Sequence, residues 1–109
     1  MKIIFCIVVL LVSGILRAQT PAEEIANKIA LKMKDSLQLT DSQRMQIYNI
    51  NIQISQQKSN MRSLYTGSDS LRIKIQLVEY TRDGLYHAIM SDEKYLLYLQ
   101  KKRNLVNNN

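Results

Sequence analysis

Leu39-Thr40-Asp41-Ser42-Gln43 is the stretch that decides the fold. It lies between two helical patterns and starts the longer one. With Thr40 as N-cap, its hydroxyl accepts from the Gln43 backbone N–H, and the Gln43 side chain reaches back to the Thr40 N–H. This reciprocal capping box satisfies two donors that a helix start otherwise leaves open. Asp41 adds a negative charge in the first turn, where the helix dipole favours it.

Downstream of the box, the spacing predicts a helix over 41–65, roughly 37 Å long at 1.5 Å per residue. Its apolar residues fall on two neighbouring stripes, one with Ile47, Ile50, Ile54, Met61 and Leu64 or Tyr65, the other with Met45, Tyr48 and Ile52. Together they are wider than one partner helix needs. Residues 50–54 also alternate at period two, so a strand is a local alternative, outweighed by the long helical frame. Thr66-Gly67-Ser68-Asp69-Ser70 breaks the pattern, with Gly67 ending the helix in the left-handed conformation and Ser68 or Ser70 capping the next. So short a loop implies an antiparallel helical hairpin. The third helix is expected over 71–89 on a stripe of Leu71, Ile75, Val78, Leu85 and Ile89, interrupted by Arg82. Gly84 marks a bend or a close helix crossing there. Ser91 is the N-cap of a fourth helix reaching about residue 104. That helix ends in Lys101-Lys102-Arg103, read as a solvated end with a ligand-facing patch as the alternative, before the polar tail Asn107-Asn108-Asn109.

Upstream of the box, Thr20-Pro21-Ala22-Glu23 reads as a second capping box opening a helix to about residue 36. Ala22, Ile25, Ala26, Ile29, Ala30, Met33 and Leu37 form its apolar stripe. Before that, Lys2 and a nearly unbroken apolar run from Ile3 to Val12 read as a secretory signal peptide over 1–18, cleaved after Ala18. An uncleaved anchor is the alternative, but the run falls short of the roughly 20 residues a span needs. Cys6 lies within the run, so a lipoprotein reading is weaker still. The expected organisation is all-α: about four helices in one domain over 19–106, with no stable membrane anchor after cleavage.

Cleavage removes Lys2, Arg17 and Cys6, which lowers the net charge of +6 by two and leaves no cysteine. Disulfides and thiolate metal sites are excluded within such a chain. A domain this small without staples is marginal, and a homodimer is the natural remedy. The residual positive charge suits acidic proteins or anionic surfaces and is too small to argue for nucleic acid. His87 is the one histidine, and Asp83, four residues before it, could share its helix face. Two candidate ligands do not close a zinc site. With no phosphate-binding loop, nucleophile elbow or catalytic triad, no enzyme activity, catalytic residue, cofactor or metal is expected.

An exported helical chain with Leu39-Thr40-x-x-Gln43 before a long amphipathic helix resembles the Spy/CpxP family of periplasmic proteins. That family carries a second, similar motif near its C-terminus. Met90-Ser91-Asp92-Glu93-Lys94 holds that place here, with Lys94 where the family has glutamine, so the second box is degenerate. The likeness covers residues 39–103. It implies a helical hairpin that often dimerises into a curved cradle, acting without ATP to hold unfolding envelope proteins or to tune an envelope-stress sensor. Leu39, Thr40 and Gln43, with Ser91 in the second motif, would shape the helix turns rather than touch a client. For client binding, the surplus face of the second helix offers Met45, Tyr48 and Ile52, and the basic residues Arg44, Lys58 and Arg62 would draw acidic segments by long-range attraction. The alternatives are that this surplus is core or dimer interface, and that the module docks one specific envelope protein.

Overall fold

The computed structural model describes residues 19–107. The expected signal peptide and the last two residues of the polar tail lie outside the described residues. Four α-helices follow one another, α1 (Pro21–Leu37), α2 (Asp41–Leu64), α3 (Ser70–Ala88) and α4 (Asp92–Lys102), and a π-helical turn, Arg103–Asn107, is the last of the described elements. There is no strand among the described residues, and none of their helices is long and apolar enough to cross a membrane. Residues 50–54 are helical: α2 buries Ile47, Asn51 and Ile54, a spacing of four and three that only a helix puts on one face.

Three of the four helix starts are made by the hydroxyl that the sequence places there. Thr20 accepts from Glu23 N–H at 3.2 Å, and Pro21 follows where its missing N–H costs nothing. Thr40 accepts from Gln43 N–H at 3.1 Å, while Gln43 Oε1 accepts from Thr40 N–H at 2.9 Å, completing the box. Ser91 accepts from Lys94 N–H at 3.2 Å. The cap of α3 differs from expectation. Asp69 is its N-cap without a side-chain bond, and Ser68 Oγ instead accepts from Ser70 N–H at 3.1 Å. Gly67 takes φ +73°, but it does not end α2, whose C-cap is Tyr65; it lies in the following turn, closed by the Ser68 N–H on the Tyr65 carbonyl at 3.0 Å. The α1–α2 turn manages the same reversal without glycine: Gln38 sits at φ 53°, and the N–H of Leu39 returns to the Lys34 carbonyl at 3.0 Å.

The core lies at one end of the molecule. Ala30, Met33 and Leu37 of α1, Leu39, Ile47 of α2, Tyr86 and Met90 from the α3 end, Tyr98 of α4, and Leu105 and Val106 of the last turn form one buried cluster. The α1 stripe rolls by part of a turn relative to the sequence reading: Ala22 and Ile25 are exposed. On α3 the correction is larger. Arg82, expected to interrupt the apolar stripe, is itself buried, together with Asp83 and Tyr86. Gly84 is exposed, and an added Cβ would meet nothing within 4 Å, so it marks no close helix crossing.

From Ser55 through the loop to Leu77 no residue is buried. There α2 and α3 run on as a two-helix arm, which has one seam and no core of its own. Lys58 to Glu79, at 3.2 Å, ties the two helices near the root of the arm. The molecule measures 21 Å in its thinnest direction, about two helix diameters.

Candidate functional site

At the core end, the C-termini of α1 and α3 meet the N-termini of α2 and α4. Negative helix ends thus face positive ones, which the dipoles favour. The two motifs make the joints. Gln43 spends its side-chain oxygen on its own cap and donates its amide, Nε2, to the Ile89 carbonyl at the end of α3, at 3.0 Å. Lys94, at the matching position of the second motif, donates Nζ to the Leu37 and Gln38 carbonyls at the end of α1, at 2.8 and 2.5 Å. Each motif therefore clamps the C-terminus of the helix that precedes the other. The departure from glutamine at Lys94 gives up the reciprocal cap bond and supplies a cation where a helix end holds orphan carbonyls. Leu39 and Met90, the leading apolar residues of the two motifs, are both in the core.

The basic end of α4 is solvent-exposed at Lys101 and Arg103, as expected, and two of its lysines also bond within the molecule. Lys101 donates to the Ser36 carbonyl at 3.1 Å, and Lys102 to the Asp83 carboxylate. From the other side, Lys32 donates to the Asn104 carbonyl at 3.0 Å. Asp41, bonded to Lys34 at 2.5 Å with Arg44 3.8 Å away, has its pKa held below the ordinary value by the Lys34 bond and charge.

Behind the clamps runs a buried polar network that hydrophobic periodicity does not reveal. Asn51 donates to the Ala26 carbonyl at 3.0 Å and accepts from the Tyr86 hydroxyl, linking α1, α2 and α3. Asp83 accepts from Arg82 Nε at 3.2 Å, from the Tyr98 hydroxyl at 2.7 Å and from Lys102, linking α3 and α4. Tyr86 and Tyr98 meet edge to face at 5.2 Å. Burial raises the pKa of both hydroxyls; the Arg82 charge works against this, and the Asp83 carboxylate adds to it. Arg82 is 4% exposed, and its Nη2 has no hydrogen-bond partner among the described groups. The signal available in the sequence was a helical one: Asn51, Arg82 and Tyr86 each lie three or four residues from a buried apolar neighbour.

His87 and Asp83 do not share a site. His87 Nε2 lies 2.8 Å from Asp92 Oδ1, and its ring stacks on Tyr95 at 4.0 Å, whereas Asp83 is in the interior network. Among the described residues no three potential metal ligands gather.

The six residues expected to bind protein are divided among several places. Met45 is exposed, Tyr48 packs against the core, Ile52 is half-buried, and Arg44 lies beside Asp41. Lys58 and Arg62 instead line a groove of about 200 Å³ between α1, α2 and α3, with Ile25, Ile29, Ile54 and Arg82. A further apolar display runs along the arm and just past its root: Ile73, Leu77 and Tyr80 of α3 are 57%, 51% and 58% exposed at a spacing of four and three, and Leu64 of α2 is 71% exposed. The stripe that the spacing predicts on α3, Leu71, Ile75, Val78, Leu85 and Ile89, contains none of the three exposed α3 residues.

The class of protein that these elements define is an all-α domain with a core at one end and a helical hairpin arm at the other. The chain matches no protein-family model, no curated protein and no solved structure.

Proposed function

We propose that this chain is an exported, ATP-independent chaperone or envelope-stress adaptor of the periplasm, similar in its motifs to Spy/CpxP proteins, that holds unfolding proteins on the hairpin arm. The observation that carries this reading is an exposed row on α3, with Ile73 and Leu77 on the arm and Tyr80 just past its root. Such a row offers anchors at helical spacing to an apolar segment of another chain. Exposed apolar surface of this kind marks interaction sites in monomers. Arg72 and Lys74, interleaved with the row, give acidic segments a long-range attraction. Met45 and Arg62 on α2 are further contact points, and no residue is assigned to catalysis. A homodimer joined along the arms would give the curved surface that the resemblance implies.

The test is light scattering of two unrelated aggregating proteins, with and without the purified chain, at low and high salt. Suppression of both, weakened by salt and abolished in a variant with Ile73, Leu77 and Tyr80 all changed to Gln, is the expected result. If neither protein is protected, the generic chaperone reading falls, and the arm is instead a dock for one specific envelope protein. Sedimentation of the same samples reads the dimer.

A further inference from the structure

Helix α4 leaves one face uncovered. Asp92, Leu96, Leu99 and Arg103 recur on it at spacings of four, three and four, all of them exposed. Arg103 keeps helical dihedrals, φ −55° and ψ −43°, so the stripe runs on past the last α-helical residue. Leu96 is 60% and Leu99 43% exposed. At one end of the stripe stand the acids Asp92 and Glu93. Asp92 gives Oδ1 to His87 and leaves its other oxygen to solvent, with 92% of the side chain exposed. At the other end, Lys101 and Lys102 are engaged within the molecule, whereas the Arg103 guanidinium has no partner among the described residues.

This pattern is its own complement. A second α4 laid antiparallel, with the two-fold axis level with the Leu97–Tyr98 peptide, brings Asp92 opposite the partner's Arg103 and Leu96 opposite the partner's Leu99. The other half of the contact repeats both matches, as a two-fold interface requires. A parallel copy would instead set Asp92 against Asp92 and Arg103 against Arg103. Antiparallel copies also oppose their helix dipoles. Beside Leu96 a shallow groove of about 520 Å³, lined by Leu37, Leu97 and Gln100 among others, receives the partner's Leu99. An acidic peptide or an anionic surface would satisfy Arg103 alone and be repelled by Asp92 and Glu93.

We propose that α4 is a self-association face on which a second copy of this chain docks antiparallel, with the leucines at the centre and an Asp92–Arg103 pair at each end. The stripe is only about 16 Å long. That is too short to bury the ~800 Å² per partner of a standard stable interface, so the pair is weak and concentration-dependent. The face is at the core end of the molecule. It depends neither on client capture by the arm nor on any contact between arms.

Sedimentation equilibrium of the purified chain, from micromolar to millimolar concentration, tests the face. A monomer–dimer equilibrium weakened by salt is expected. Leu96→Gln, Arg103→Glu and Asp92→Arg should each raise the dissociation constant about tenfold, since every change acts twice in a two-fold contact. All three side chains are exposed, so the helical spectrum should stay unchanged. An equimolar mixture of Arg103→Glu and Asp92→Arg should recover dimers, because each charge again meets its opposite; a folding defect gives no such recovery. The variant with Ile73, Leu77 and Tyr80 changed to Gln should keep the dimer, whatever it does to client protection. A chain that stays monomeric at millimolar concentration overturns the proposal, as does a mixture that associates no better than its two components. A dimer that survives Leu96→Gln and Arg103→Glu but is lost in the arm variant puts the seam on the arm and overturns it too.

Discussion

Changing Lys94 to Met isolates the joint between the two motifs. The stem of the side chain keeps its packing, and only the ammonium is lost. In the native chain that ammonium donates to two carbonyls at the end of α1, Leu37 at 2.8 Å and Gln38 at 2.5 Å. Hydrogen bonds to charged groups contribute about 1.5–3 kcal/mol when well buried. Here one bond is part-buried and the other exposed, so solvent replaces a share of them. The expected loss is about 1–2 kcal/mol, helix-dipole attraction included. In a domain of this size each kcal/mol lowers Tm by about 4–8 °C. Urea unfolding followed by far-UV circular dichroism reads the loss as a lower midpoint at unchanged slope. Lys94→Gln should fall between the two: glutamine is one atom too short to span to α1 but restores the reciprocal bond to the Ser91 N–H. A Lys94→Met chain within about 0.5 kcal/mol of the native one, the usual range for surface changes, would show that the ammonium does not hold the joint. A Lys94→Gln chain less stable than Lys94→Met would show the same for the reciprocal cap bond.

Asp83→Ala strands the buried Arg82 charge and removes the acceptor of Tyr98 and Lys102; a loss of about 3–5 kcal/mol is expected by urea unfolding, enough to unfold a marginal domain. Gly84→Ala should stabilise by roughly 1 kcal/mol, because the position is exposed, helical and free of neighbours within 4 Å; a destabilised variant would show a crossing that the structure lacks. Stability should also fall at alkaline pH. Tyr86 and Tyr98 have raised pKa values when folded, so in the unfolded chain they lose protons first, near pH 10; their contribution is complete below that pH and is lost as pH rises above it, by about 1.4 kcal/mol per unit for each. Tyr98→Phe should halve that slope in unfolding experiments run between pH 9 and pH 11, and an unchanged slope would remove Tyr98 from the account.

Helices α1 to α4 were legible because their signals are local. Thr20, Thr40 and Ser91 each cap the backbone three residues away, a bond that needs no knowledge of the rest of the chain. Apolar spacing identified Ala26, Ala30, Met33, Leu37, Ile47 and Ile54 as buried for the same reason, since period 3.6 is a property of one helix. What covers a face is a property of two. The α3 positions Ile73 and Leu77 and the α2 position Leu64 are as apolar as the core residues, yet they stay exposed because the arm has no third helix to bury them.

The helical class and the starts of α1, α2 and α4 follow from the sequence alone, because caps and hydrophobic period act over a few residues. Only the tertiary structure decided what Gln43, Lys94, Asn51, Arg82 and Asp83 do. Their partners lie 15 to 57 residues away for the bonds to Ile89, Leu37, Ala26 and Tyr98, and Arg82 reads as a solvated break until the packing of α1, α2 and α3 buries it. A polar side chain carries no mark of its burial in the sequence; its value is set by which donors and acceptors the fold brings within about 3 Å.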